Sequence, residues 1–462
     1  MVGPVNFIML IEIEIYQWFL VILFGLILFF VSPLAKNKEI FFRASSAKGK
    51  TPGFWLLTSS LVISWIFAKS ITNAANLGLS FGMVGGVAYA GYYLSFIVAG
   101  LVIYFMRTKG GFESIHHFLR SKFGSNAIRI FSALIAFRMF NEVWSNTMVI
   151  GTYFGEKGES MYYIAILVFT GTTLAYALKG GLRSSLITDT IQMVLFGVLL
   201  FVILGMILPE SEATVSEYVS SGEWSLAGGV DLLIVALLQV LSYPFHDPVM
   251  TDRGFIASPK LTLKSFFWAS LIGIVCIVLF SWIGIFAQFK GLEGQAAVEV
   301  SKSLGVGMML LMNFIMITSA SSTLDSAFAS FSKLVAVDLN FGKTVNISLS
   351  KGRWAMIALT VLGTVPIFLG PEILSATTIS GTMVIGLAPV FLFWKTKVPK
   401  SSFFLSVLGG IAIGLAYTLG LFPELLSIGV GKYAGLLGAN LYGTLLCFGL
   451  YFLPTLFNHV KS

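Results

Sequence analysis

Long apolar runs dominate the chain. Thirteen of them lie near 16–33, 54–79, 82–106, 127–153, 160–178, 186–208, 229–246, 264–287, 305–330, 353–370, 373–394, 403–421 and 436–453. Each approaches or exceeds the roughly 20 residues that carry a helix across a bilayer. Lipid offers backbone N–H and C=O groups no partner, so these runs must be helical. The pattern predicts an all-α polytopic membrane protein with 13 transmembrane helices. Polar punctuation refines it. Gly180-Gly181 breaks the helix between the fifth and sixth runs, and Pro244 and Pro248 in YPFHDPVMTDRGF (243–255) predict a kink or unwinding after the seventh. The segment GGFESIHHFLRSKFGS (110–125) reads as a short amphipathic helix at the inner surface.

Composition agrees. Of 462 residues, 56% are hydrophobic and 11% charged, against roughly 25% charged in a soluble domain. A soluble globular protein is excluded. The net charge of +8 would point to nucleic acid in a soluble chain, so its distribution decides its meaning. With the N-terminus outside, 22 of the 29 Lys and Arg residues fall in inside loops. Only Lys157, Lys290, Lys302 and Lys432 lie outside, while Lys69, Arg129 and Arg138 lie within runs. This asymmetry predicts N outside and C inside a plasma membrane, with the lipid bilayer rather than nucleic acid as partner. The loop 209–228 carries four Glu and no base, as an outside loop should. Met1–Glu14 lacks Lys and Arg, so no cleavable signal peptide is expected. Cys276 and Cys447 sit inside apolar runs as reduced packing residues, and the four histidines form no ligand pair. Neither metal catalysis nor a nucleophile–base set is visible, so no enzyme is expected.

Polar residues inside the runs carry the candidate chemistry, because each charged one costs about 2.5–3.5 kcal/mol on insertion scales. Arg138, Asn141, Glu142 and Ser145 share one face of the fourth run. Either Arg138 and Glu142 neutralise each other, or the stripe faces a water-filled cavity where Arg138 meets a solute carboxylate. The second run holds Ser64, Trp65, Lys69, Ser70, Thr72, Asn73 and Asn76. That density fits either a helix that unwinds midway and turns carbonyls to a ligand or a hydrogen-bonded seam between helices. In the ninth run Ser319, Ser322, Thr323 and Ser326 share a face, as a packing surface or as hard oxygen ligands for an alkali cation. Asp325 falls off that face and is expected at a cytoplasmic gate. Asp189 opens the sixth run, as a helix cap or on an ion path. Trp65, Trp144 and Tyr243 are candidates to wall a solute site.

Gly180-Gly181 followed by Thr188-Asp189-x-x-Gln192, then Ser322-Thr323-Leu324 and Asp338, resembles the sodium:solute symporter family. The resemblance spans essentially the whole chain. It implies a five-plus-five inverted-repeat, leucine-transporter-like core, with repeats at 54–208 (runs two to six) and 229–395 (runs seven to eleven). An N-terminal helix and inner loop (1–53) precede this core, and two peripheral helices (396–462) follow it. The resemblance implies symport of a small polar solute with sodium ion, no organic cofactor, and action as a monomer. Ser322 and Thr323 would be sodium side-chain ligands, with Ser319, Ile63 and Ile66 contributing carbonyls and Asp189 on the inner ion path. Ser64, Trp65, Lys69, Asn73, Arg138, Asn141 and Glu142 are the expected solute-facing residues. Arg138 lies in the helix where sialic-acid members place a carboxylate-binding arginine. The chain departs from the family at Trp65 and Lys69, where small or neutral residues are usual. That leaves two alternatives beside sodium symport: a proton-coupled or uncoupled transporter using Lys69, and a passive solute channel.

Overall fold

The computed structural model of the chain describes residues 4–46, 48–340, 347–369 and 380–459. The first part of the predicted run at 373–394 lies outside the described residues. Among the described residues there is no strand. The helices used below are α1 (Pro4–Val31), α2 (Phe54–Trp65), α3 (Ala68–Ala90), α4 (Ser95–Thr108), α5 (Ile115–Phe123), α6 (Ser125–Gly151) and α7 (Ser160–Ser211). They continue as α8 (Asp231–Gln239), α9 (Pro248–Arg253), α10 (Pro259–Phe289), α11 (Val306–Ala336), α12 (Leu349–Thr364), α13 (Lys400–Thr418) and α14 (Ala434–His459).

Among the described residues, eight helical stretches are long and apolar enough to cross a membrane. The stretch α7 has 52 residues, or about 78 Å at 1.5 Å per residue, enough for two crossings of a roughly 30 Å core. It turns at Gly181, where φ is 57° and ψ −141°. A Cβ there would lie 2.5 Å from the Phe41 carbonyl oxygen, so the turn is open to glycine alone. The stretch 68–108 breaks likewise at Gly82.

The molecule exposes broad apolar surfaces and buries many polar groups among its apolar core. On the second half of α7, Val194, Val198 and Phe201 are 65%, 58% and 69% exposed, while Asp189 and Gln192 are fully buried. That inversion suits a hydrocarbon solvent, which rewards no burial of leucine-like surface but penalises exposed polar groups. Close helix approach replaces the hydrophobic effect as the packing principle. α10 packs along α3 so tightly that a Cβ on Gly284 would meet the Ala75 carbonyl oxygen at 1.7 Å.

Two helices are discontinuous. The second run splits into α2 and α3, with Ile66 (φ −82°, ψ 75°) non-helical and Phe67 (φ −64°, ψ 151°) extended between them. The seventh run, expected as one span at 229–246, is helical only through Gln239. A 3-10 turn at Tyr243–His246 and the short α9 follow. Pro244 and Pro248 cannot donate to a helical ladder, which is why it stops there. The surface helix α5 buries Ile115, Phe118, Leu119 and Phe123 and caps its start with Ser114, whose Oγ accepts from the His117 N–H at 2.9 Å.

Candidate ion and solute site

Breaking a helix frees backbone groups that must find partners. At the α2–α3 break, the Trp65 carbonyl accepts from Tyr93 Oη at 2.7 Å, the Ile66 carbonyl accepts from Ser319 Oγ, and the Lys69 N–H donates to Asn146 Oδ1 at 3.2 Å. Ser319 lies on α11, whose own Ser319 carbonyl accepts from Thr323 Oγ1 at 3.1 Å. Ile66, Ser319 and Thr323 therefore form one connected set of buried oxygens. Ser322 adjoins them and donates to Asp189 Oδ1. Ile63 is buried one turn earlier on α2.

Asp189 anchors a second group. Its Oδ2 receives hydrogen bonds from Ser60, from Ser64 at 3.3 Å, from Ser185 at 3.4 Å and from Arg253 Nη2 at 3.2 Å. Two sequence expectations change here. Ser64, grouped with the solute face, turns to Asp189, since it sits about 100° around α2 from Trp65. Asp325, expected at a gate away from the serine face, is buried against the same group, with Thr188 Oγ1 donating to its Oδ2 at 2.9 Å. Arg253 is a third change. It was counted among the inside loop bases, yet it is fully buried, because the seventh run stops early and α9 folds back into the core.

Most of the residues expected to face a solute gather around four charges. Glu142 Oε1 accepts from Lys69 Nζ at 2.7 Å and also pairs with Arg138. Arg138 Nη2 lies 3.2 Å from Asp247 Oδ2, which accepts from Trp65 Nε1 at 2.8 Å. Asn146 Nδ2 donates to Glu142 Oε2 at 2.9 Å. Two cations and two carboxylates thus cancel within the core, as buried charge requires. Arg138 stacks over Phe67 at 5.4 Å and Tyr243 at 5.1 Å. Beside them Trp65, Phe67, Tyr89, Tyr92, Tyr93 and Tyr243 enclose a cavity of about 10 Å³. Asn73 faces that cage, donating to Tyr89 Oη at 3.3 Å. Asn141 stands apart, its Oδ1 accepting from Trp144 Nε1 at 3.2 Å.

Larger cavities flank this closed centre. One, of about 570 Å³, is lined by Thr72, Asn73, Asn76, Gln295, Lys302 and Lys432. The other, of about 540 Å³, opens among the lysine- and arginine-rich loops, with His116, Asp252, Lys333 and Asp338 on its walls.

A sequence model of the sodium:solute symporter family matches residues 48–222, which carry α2 to α7 and the Gly180-Gly181 turn. Sodium/glucose cotransporter 1 of Mus musculus is 24% identical over 224 residues, 44% of this chain and 32% of that protein. Its Ovis aries counterpart is 24% identical over 202 residues, 40% and 29% respectively. Residues 48–222 are thus similar to the sodium:solute symporter family. The match spans about a third of the length of these curated relatives. In three dimensions the chain is similar to a substrate-bound, outward-open Na+-coupled sialic acid symporter (TM-score 0.72, 14% identity, 96% of each chain). It is also similar to a nucleobase-cation-symport-1 family transporter closed around bromovinylhydantoin (TM-score 0.55, 13% identity, 91% of this chain and 95% of that one). These likenesses are of fold.

Sequence reasoning missed Asp247, Asn146 and Arg253 as members of this buried polar centre. Asp247 and Arg253 were legible only as part of a proline-marked break. Their spacing along the chain carries no sign of Trp65, Arg138 or Asp189, which lie 64 to 182 positions away.

Proposed function

We propose that this chain is a secondary transporter that couples sodium entry to uptake of a small polar organic solute by alternating access. Thirteen spans and two five-helix inverted repeats form its frame. The observation that carries the reading is the α2 break lying against α11, which connects the Ile66, Ser319 and Thr323 oxygens in one buried set, with Ser322 of the same helix turned to Asp189. Hard cations prefer such oxygen ligands, and broken helices near the midplane supply them in secondary transporters. Moving one sodium through about 100 mV releases roughly 2.3 kcal/mol, which supports about a 50-fold solute gradient per ion. Trp65, Lys69, Asn73, Arg138 and Glu142 face the solute. Because Arg138 and Lys69 already hold Glu142 and Asp247, an anionic solute has to displace an internal carboxylate. The site is matched to a neutral or zwitterionic molecule such as an amino acid.

Purified protein in liposomes tests this. An inward sodium gradient should drive uptake of a solute chosen by a thermal-shift screen of amino acids, sugars, urea and organic acids. Ser322→Ala should lower that uptake at least about tenfold, a loss of roughly 1.4 kcal/mol of transition-state stabilisation. Uptake indifferent to sodium and to Ser322→Ala overturns the reading. Uptake driven by protons and lost in Lys69→Ala would assign coupling to Lys69 instead.

A further inference from the structure

Arg253 is held as a buried ion is held. Its Nε donates to Ser60 Oγ at 2.7 Å, and its Nη2 reaches Ser326 Oγ at 2.7 Å, Asp189 Oδ2 at 3.2 Å, and Ser64 and Ser185 Oγ at 3.3 Å. These oxygens come from α2, from the second half of α7 and from α11, and every residue among them is buried. The hydroxyls also bond to one another, Ser326 to Ser64 and to Ser185 at 2.9 Å each. Four hydroxyls and a carboxylate from three helices therefore focus lone pairs on one guanidinium.

Asp189 links this seat to the proposed sodium ligands. One of its oxygens accepts from Ser322, a member of that ligand set, and the other from Arg253. Arg253 is the last residue of α9, which follows the unwound stretch at 240–247, so its helix is anchored by a break rather than by a continuous span. The neighbouring residue Asp252 lines the 540 Å³ cavity on the basic face. The guanidinium thus shares Asp189 with Ser322, and its own residue is next in the chain to one in that cavity's wall.

We infer that Arg253 is a tethered cation that competes with the transported ion for Asp189. When the ion leaves Ser322 toward the basic face, Arg253 takes over the carboxylate, so Asp189 is never left buried and unpaired and does not draw the ion back. The seat is read directly from the geometry. Its consequence for ion release rests on the sodium-symport reading above.

The test is uptake into liposomes loaded with graded internal sodium. In Arg253→Gln the uncompensated Asp189 should retain sodium, so half-inhibition by internal sodium should fall at least about tenfold, the factor that one pKa unit or 1.36 kcal/mol represents. Arg253→Lys, which keeps the charge, should stay near wild type. An unchanged half-inhibition in Arg253→Gln overturns the inference while leaving sodium symport standing. Should Arg253→Gln fail to assemble, the double variant Asp189→Asn/Arg253→Gln removes both buried charges together. Its half-inhibition should rise above wild type, and an unchanged value again overturns the proposal. Should wild-type uptake ignore sodium altogether, the symport reading fails, and the seat is tested alone. Millimolar guanidinium, but not choline, should then raise the Tm of Arg253→Ala by roughly 2–4 °C, the shift expected for about 1 kcal/mol in a large domain. No difference between the two cations overturns the seat as well.

Discussion

Glu142 is held by two cations at once, Lys69 and Arg138, with an amide from Asn146 on its second oxygen. All of these groups are buried, so solvent does little to soften the loss of any one of them. Glu142→Gln leaves two cations sharing Asp247 and should cost about 3–5 kcal/mol, as breaking buried pairs does. Lys69→Met alone leaves a carboxylate short of its partner and should cost a similar amount. The two changes together remove one charge of each sign. Their combined loss should therefore be smaller than the sum of the single losses by about 1–3 kcal/mol. Thermal unfolding in detergent of the wild type, both single variants and the double variant checks this. Strict additivity would show that Lys69 and Glu142 do not act as a pair.

At the scale of elements, the docking of the surface helix α5 depends on a titrating group. His116 Nδ1 lies 3.8 Å from Asp338 Oδ2, and Lys333 bridges Asp252 and Asp338 beside it. Burial holds the His116 imidazole below its ordinary value of 6.5, more strongly than Asp338 raises it, with Lys333 adding to the lowering. The folded protein therefore prefers neutral His116, while the unfolded chain takes up a proton near pH 6.5. Stability from this group is complete above that pH and is lost as pH falls below it toward the depressed folded value. The Tm should consequently decline between about pH 7 and pH 5.5, in the range where histidine charges, and decline less in His116→Gln. Equal slopes for the two proteins would place the acid sensitivity elsewhere. The breaks in the second and seventh runs act at the same scale. They turn backbone carbonyls and capping side chains inward, where continuous helices would have spent those groups on their own ladders.

At the scale of the whole molecule, two cavities of similar size stand on either side of a closed aromatic centre. The cavity bearing His116 and Asp338 opens among the basic loops, and the proposed orientation makes it cytoplasmic. Ser80 lines the opposite cavity and Thr51 lines this one. Both cysteines of the chain are buried, so background labelling is low. Ser80→Cys should react with a membrane-impermeant maleimide in intact cells, and Thr51→Cys only after permeabilisation. The reverse pattern would invert the topology. Sodium and solute together should change the rate at Ser80→Cys, as expected when a transporter leaves one access state for the other.

Membrane class, helical content and the breaks at Gly180-Gly181 and at Pro244 and Pro248 follow from the sequence by itself. Run length and the cost of unpaired backbone in lipid leave few alternatives, and glycine pairs and prolines act on their immediate neighbours. The grouping of Lys69 with Glu142 was not legible, although both were marked as costly. Arg138 is four residues before Glu142, so that pairing was written in the helical repeat; its second partner, Asp247, was not. Arg253 shows the limit most plainly. By position it is a base just beyond a hydrophobic run, one more contributor to the inside charge. Only the early end of the seventh run, and the fold of α9 into the space between α2, α7 and α11, bring it to Asp189. Local patterns specify which segments cross the membrane and where they bend. Which charges neutralise one another inside is decided by how the bent segments pack, because the Coulomb and desolvation energies depend on distances of 3–4 Å that the chain spacing does not encode.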